Sequence, residues 1–316
     1  MKSFHRKKLI SLLPAATEIV AALKATDRLV GRSHECDWPE NALHAKVLTS
    51  SNIDASRPSH QIDQQVKNAE GVGLFKIDKH AIKILKPHFI FTQDTCQVCA
   101  IDTNEVEEIA SRIILPNGNK PQVISLSPSS LEELFADIYR VGDVIDEVNQ
   151  AETVVTNLKN RCEEVSASCT QLNKSDKHKP RVALIEWLDP PMSAGNWVPE
   201  MIQMAGATDA LKADAGKSHW IEWADVAAAD PDIVILIPCG FELERVLTEA
   251  KTPAVWPHLK DLRATCEGKL FGVDGHHLFN RPGPRLVDSL EVLAELLYPE
   301  SFQFEATARF AKRIEA

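Results

Sequence analysis

The feature that most constrains this chain is that one layout occurs twice. Lys8 to Leu13 reads as a short buried strand that runs into Pro14 and small residues, then a helix from Thr17 to Leu23, then Leu29-Val30-Gly31. Arg181 to Trp187 is followed in the same way by Pro190-Pro191, by the helical segment Val198 to Ala205, and by Gly206. Further on, Ala81 to Thr92 and Val226 to Leu236 share a second pattern, a helix stopped by a proline two residues before an apolar strand. Both halves close alike, with Val123 to Leu126 leading to a helix Leu131 to Val141 and Leu270 to Val273 leading to a helix Arg285 to Leu297. Strands alternating with helices make parallel sheets covered on both faces, so the repeat predicts a bilobal α/β protein.

Between the copies, apolar residues at Val144, Val148, Ala151, Val155, Leu158, Cys162, Val165 and Cys169 recur in steps of four and three. That spacing predicts one continuous helix, about 39 Å long at 1.5 Å per residue. Ser168 to Lys179, rich in Asn, Lys, Ser and Asp, reads as the exposed connection that follows. The expected division is an N-terminal lobe 1–142, a linker helix 143–172 and a C-terminal lobe 173–316. Cys162 and Cys169 fall on the apolar stripe and read as buried small hydrophobes.

Composition narrows the class of function. With 316 residues, 44% hydrophobic and 25% charged, the chain has the content of an ordinary folded domain. Its formal charge of −10 repels phosphate backbones, and the only cationic cluster, His5 to Lys8, is too short to act as a nucleic-acid arm. Only Leu9 to Leu13 separate that cluster from Pro14, too few for the apolar core of a secretory leader. No stretch approaches the roughly 20 apolar residues of a membrane span. A cytoplasmic monomer without membrane insertion is therefore expected. Seven cysteines are an odd set in a chain of this size, which points to reduced thiols.

Open α/β sheets bind ligands beyond the carboxyl ends of their strands, so the residues following each strand are the candidates. Pro14-Ala15-Ala16-Thr17 offers an approachable backbone at a helix start, or a plain cap. Arg32 to Pro39 packs His34, Glu35, Cys36, Asp37 and Trp38 into five positions, and Gln93-Asp94-Thr95-Cys96-Gln97-Val98-Cys99 follows the strand ending at Thr92. His34, Cys36, Cys96 and Cys99 have the donor chemistry of a tetrahedral zinc site, although a single CxxC is a weak signal and Cys96 and Cys99 also suit a strand cap and helix packing. In the second half come Glu186-Trp187, Trp197, His219 to Trp223, Pro238-Cys239-Gly240-Phe241, and Asp274 to Arg285 with His276 and His277. Five of the six tryptophans, Trp38, Trp187, Trp197, Trp220 and Trp223, sit near strand ends, where aromatics line a wide ligand cleft or pack loops onto their lobe. His276 or His277 has the chemistry to ligate cobalt or zinc, or is simply solvated. No nucleophile elbow, phosphate loop, HExxH or nucleotide fingerprint is present, which argues against an enzyme.

In their order along the chain, Ile10 to Glu18, Val30-Gly31 leading to Asp37-Trp38-Pro39, Leu85 to Ile90, Trp223 to Val234 and Asn280 to Leu286 resemble the cobalamin and ferric-siderophore substrate-binding proteins of ABC importers. The resemblance covers nearly the whole chain. It implies two Rossmann-like lobes with parallel sheets joined by one long helix, holding a corrinoid or related metal chelate between them for uptake or intracellular salvage. No further cofactor is required, and an ABC permease is the implied partner. Carried over position by position, the ligand would meet Pro14, Ala15, Ala16, Thr17, Cys36, Asp37, Trp38, Gln93, Asp94, Cys96, Trp187, Trp197, Gly240, Phe241, Asn280 and Arg281. The alternative is a cytosolic zinc or thiol-dependent metalloprotein that uses Cys36, Cys96 and Cys99.

Overall fold

The computed structural model describes residues 7–69, 73–93, 103–175, 179–212 and 217–315. They form two compact units, one of residues up to 57, 61–128 and 132–155, the other of 58–60, 129–131 and 156 onward.

The first unit carries strands β1 (Leu9–Ser11), β2 (Leu29–Arg32), β3 (Lys46–Val47), β4 (Thr49–Ser51), β5 (Phe75–Ile77), β6 (Phe89–Thr92) and β7 (Gln122–Ser125). Its main sheet is parallel throughout, in the order β3-β2-β1-β6-β7, with β4 and β5 as an antiparallel ribbon. Helix α1 spans Pro14–Ala22, α2 Ser59–Asn68, α3 Lys79–Leu85, α4 Thr103–Ser111 and α5 Leu131–Val144. Ile10, Leu12, Leu48, Ile82, Ile90, Val106, Ile109 and Ile113 share one buried cluster, which is why these strands read as near-continuous apolar runs.

Helix α6, Val148–Ser175, begins in the first unit and continues into the second. The second unit then carries β8 (Arg181–Leu188), β9 (Pro191–Ser193), β10 (Thr208–Asp209), β11 (His219–Trp220), β12 (Ile233–Leu236), β13 (Leu270–Val273) and β14 (Ala311–Arg313). The sheet order is β11-β9-β8-β12-β13-β14, and β10 joins the start of β8. Strands β10, β8, β12 and β13 are parallel, while β9, β11 and β14 pair antiparallel at the margins. The helices are α7 (Val198–Met204), α8 (Trp223–Ala229), α9 (Leu243–Ala250), α10 (Trp256–Leu259), α11 (Arg263–Cys266), α12 (Leu286–Leu297) and α13 (Glu305–Phe310).

The fold class read from the sequence is the one observed, and the repeat extends to the helix ends. After α1, Lys24 has φ +57°, with Lys24 N bonding Ala21 O and Ala25 N bonding Val20 O. After α7, Gly206 has φ +70°, with Gly206 N bonding Gln203 O and Ala207 N bonding Ile202 O. Both are the paired closures of a Schellman motif. Lys86 before Pro87 and Asp230 before Pro231 likewise end α3 and α8 in the left-handed region.

Three sequence expectations are corrected. Helix α1 starts at Pro14, whose fixed φ and missing N–H suit a first helical position, so Thr17 lies inside the helix and does not cap it. Val144 closes α5 and does not open the long helix. Asp146 turns left-handed at φ +62°, Asp146 N bonds Asp143 O, and Glu147 N bonds Gly142 O, another Schellman closure. At the other end α6 runs on through Ser175, because Ser168 to Ser175 is polar but holds no glycine or proline to stop it.

Candidate functional site

In each main sheet the chain leaves the first strand to one side and returns on the other. The strand order therefore reverses between β1 and β6 in the first unit and between β8 and β12 in the second. Such switch points open a crevice at the carboxyl ends of the two strands.

At the first unit's edge, polar groups are tied together below the surface. Ser11 Oγ donates to Leu13 O at 2.7 Å, and the Thr17 hydroxyl lies 2.9 Å from Ser11 Oγ and 3.0 Å from Cys36 Sγ. With one proton, that hydroxyl donates to one neighbour and accepts from the other. Ala15, Ala16, Thr17 and Cys36 are buried and Pro14 is half-buried, so this turn shows its surroundings mainly backbone. The loop after β2 is pinned by Thr49, whose Oγ1 meets Ser33 Oγ at 3.0 Å, His34 N at 3.0 Å and His34 Nδ1 at 2.6 Å. His34 Nε2 lies 3.1 Å from Glu35 Oε1, and Arg32 donates to Cys36 O at 2.8 Å. Trp38 is exposed, and Asp37 and Gln93 are half-buried. At the end of β6 the Thr92 hydroxyl is buried with no hydrogen-bond partner among the described residues. Asp94, Cys96 and Cys99 lie outside the described residues. The two described members of the expected zinc set, His34 and Cys36, engage Thr49, Glu35 and Thr17 of their own unit, and nothing supports the metalloprotein alternative.

At the second unit's edge, β8, β12 and β13 lie side by side and each delivers chemistry from its end. Trp187, in the last turn of β8, meets Phe241 edge-on with ring centroids 5.3 Å apart. The Arg245 guanidinium stands 3.5 Å from the centre of the Phe241 ring, a cation–π contact one helical turn along from it. The Trp187 indole N–H is buried and has no acceptor among the described residues. Between β12 and Phe241, Gly240 has φ +76° and Phe241 N closes the turn on Pro238 O at 3.1 Å.

The loop after β13 is organised by Asp274, which is 5% exposed. Its Oδ1 accepts from His276 N at 3.0 Å and His277 N at 2.8 Å, and the His277 ring Nδ1 lies 3.0 Å from Oδ2. Burial pushes this carboxyl up, but the bonds from the His277 ring and backbone outweigh it and hold Asp274 below the usual carboxylate range. A carboxylate only accepts, so His277 Nδ1 carries the proton that faces Asp274. The His276 ring stands edge-on to His277 at 4.8 Å, and its Nε2 lies 2.7 Å from Arg281 Nη2. Since guanidinium only donates, that nitrogen accepts. Asn280 Nδ2 bonds Ile237 O and Gly275 O, and His276 N also reaches Phe241 O at 3.1 Å, which joins the histidine loop to the aromatic turn. A methyl on Gly275 would fall 2.2 Å from Pro238 O, so only glycine allows this approach.

Trp197 is buried, with its indole N–H donating to Phe279 O at 2.7 Å beneath the same loop. Trp223 is buried and stacks on His258 at 6.0 Å, whereas Trp220 is exposed. Sequence reasoning did not single out Asp274 or Arg245. The available signals were an acidic residue directly after a strand and before two histidines, and an arginine four residues beyond Phe241.

The second unit's edge thus gathers the half-buried Trp187 over the fully buried Phe241, two guanidinium groups, and a histidine pair held by Asp274. A family model described as periplasmic binding protein matches residues 9–260. The chain belongs to that family. It is 21% identical over 300 residues to the ABC transporter substrate-binding lipoprotein YvrC of Bacillus subtilis (strain 168), covering 94% of this chain and 82% of that protein. Among solved structures it is similar to a periplasmic heme-binding protein of Pseudomonas aeruginosa, at TM-score 0.72 and 18% identity over 98% of both chains. It is also similar to the periplasmic vitamin B12-binding protein BtuF of Vibrio cholerae, at TM-score 0.66 and 16% identity over 94% of this chain and 98% of that one. Members of the family bind substrates for ABC transporters and are not enzymes. Membership also overturns the cytoplasmic expectation: the family is periplasmic and the Bacillus relative is a lipoprotein. Among the described residues no helix is long and apolar enough to cross a membrane.

Proposed function

We propose that this chain is the binding protein of an ABC importer whose cargo is a corrinoid or a related metal chelate, delivered to a membrane permease. The observation that carries the reading is the alignment of Trp187, Phe241 and Arg245 with Asp274, His277 and Arg281 along three neighbouring strand ends. A large flat ligand is held mainly by apolar area, with a few placed polar groups fixing its orientation. Trp187 and Phe241 flank the switch point of the second sheet, and Gly240, Asn280 and Arg281 shape its rim. The names of the structural neighbours, a vitamin B12 binder and a heme binder, support the same ligand class.

The test is titration of the purified protein with cyanocobalamin, cobinamide, haemin and a ferric hydroxamate siderophore, followed by ligand absorbance and tryptophan fluorescence. One ligand per chain is expected, with quenching of the indole signal and an affinity that falls about tenfold in Trp187→Ala, the weight of one aromatic contact. Absence of binding by all four probes refutes the proposal.

A further inference from the structure

The last strand of the chain, β14, holds the loop after β13 in place. The two strands pair in register, Phe271 opposite Arg313, Gly272 opposite Lys312 and Val273 opposite Ala311. A hydrogen bond closes the pair at each end, Ile314 N to Leu270 O and Asp274 N to Phe310 O, both at 2.9 Å. At the far end Ile314 is buried and packs over Gly272, where an added methyl would stand 3.5 Å from its Cδ1. At the near end the Phe310 ring packs 5.7 Å from the His277 ring.

Asp274 carries this anchorage outward. Its main-chain N–H hangs from Phe310 O, and its carboxylate accepts from His276 N and His277 N in its own loop and from Leu243 N, at 3.4 Å, at the start of α9. His276 N also reaches Phe241 O at 3.1 Å, and Phe241 meets Trp187 edge-on. A path of direct contacts therefore runs from Phe310 through Asp274 to the Trp187–Phe241 pair, all of it inside the second unit.

Resting on the reading above, we propose that Phe310 is a positioning residue for cargo binding. It acts through Asp274, by fixing the loop after β13 and the aromatic turn beside it before the cargo arrives. A surface set in advance avoids an ordering cost at the moment of binding. Without the Phe310 ring the start of β14 loses its packing and the bond from Asp274 N to Phe310 O is held less firmly. The loop and the turn then exchange among arrangements of which only one fits. Apparent affinity falls by the fraction of chains in the competent arrangement. Ile314 provides the comparison, because it secures the same strand at the end away from Asp274.

The experiment uses the full chain labelled with 5-fluorotryptophan, with the Trp187 signal assigned by Trp187→Phe, and the four ligands of the titration above. Phe310→Ala should bind about tenfold more weakly, within the range reached by substitutions that touch no ligand. Its ligand-free Trp187 19F signal should also shift or broaden. Phe310→Leu, which refills the space, should restore both. Ile314→Ala should lower the unfolding temperature at least as much and change neither, a separation that a purely structural role of β14 would not give. Should Phe310→Ala fail to fold, Phe310→Val is read in the same way. Wild-type affinity or an unmoved Trp187 signal in the folded variant overturns the positioning role, and so does an equal loss of affinity in Ile314→Ala, while the proposed function stands. If none of the four ligands binds wild type, the proposed function falls and takes the positioning role with it.

Discussion

Asp137 allows a quantitative test of how α5 is packed. It is 9% exposed, has Glu133 one turn before it, and among the described residues has only the Arg140 guanidinium, at 3.8 Å, to offset its charge. Burial dominates and pushes its carboxyl up to about 6, with Arg140 opposing and Glu133 adding to the rise. A carboxyl whose folded value is raised from 3.8 to about 6 costs nothing while both states are protonated, below about pH 3. The cost grows as pH rises through that interval and levels off above it, at about 3 kcal/mol for a shift of roughly two units. Asp137→Asn removes the ionisation. Burying the amide has its own cost, but that cost does not depend on pH, so the readout is the pH dependence of the difference between the two proteins. Urea unfolding from pH 4 to 8, followed by tryptophan fluorescence, should show the variant gaining on wild type between pH 4 and 6.5, by about 2 kcal/mol, with little further gain to pH 8. A difference that is constant across this range refutes the reasoning, since Asp137 would then ionise in the folded protein as it does in the unfolded chain.

Gly275→Ala should destabilise by about 2 kcal/mol or more, because the added methyl meets backbone oxygens that cannot move alone, and it should weaken ligand binding in the titration above. Trp197→Phe keeps the ring but removes the bond to Phe279 O, and should cost about 1 kcal/mol in thermal or urea unfolding. Brief iodoacetamide labelling of the native protein at pH 8, mapped by mass spectrometry, should modify Cys239 and Cys266, which are exposed, and spare Cys162 and Cys169. Burial pushes both of the spared thiols up to about 11, so they stay protonated as well as shielded until denaturant is added.

The architecture was legible because its signals are periodic. Strands such as Ile233 to Leu236 are buried on both faces and read as unbroken apolar runs, and a proline marks where each preceding helix stops. The limits of the long helix were not legible. The four-residue step from Val144 to Val148 preserves the apolar spacing, while the break between them is a dihedral event at Asp146, a residue type that does not announce a left-handed turn as glycine does. At the site, the sequence placed Trp187, Phe241, Asn280 and Arg281 near strand ends, because that follows from topology. Which aromatic faces outward does not follow from position. Trp187 borders the switch point, whereas Trp197, with equal standing in the sequence, is spent inside as a support. The pairing of Asp274 with His277 depends on a loop that curls back on its own first residue, and spacing alone does not reveal that curl.

The close seating of Gly275 on the end of β12 has an evolutionary corollary. With carbonyl oxygens directly beneath it, the loop has no slack to lengthen, slide or tilt without losing its footing. Variation in this loop among descendants of the protein is therefore confined to swapping side chains on an unchanged backbone, and insertions here should be rare.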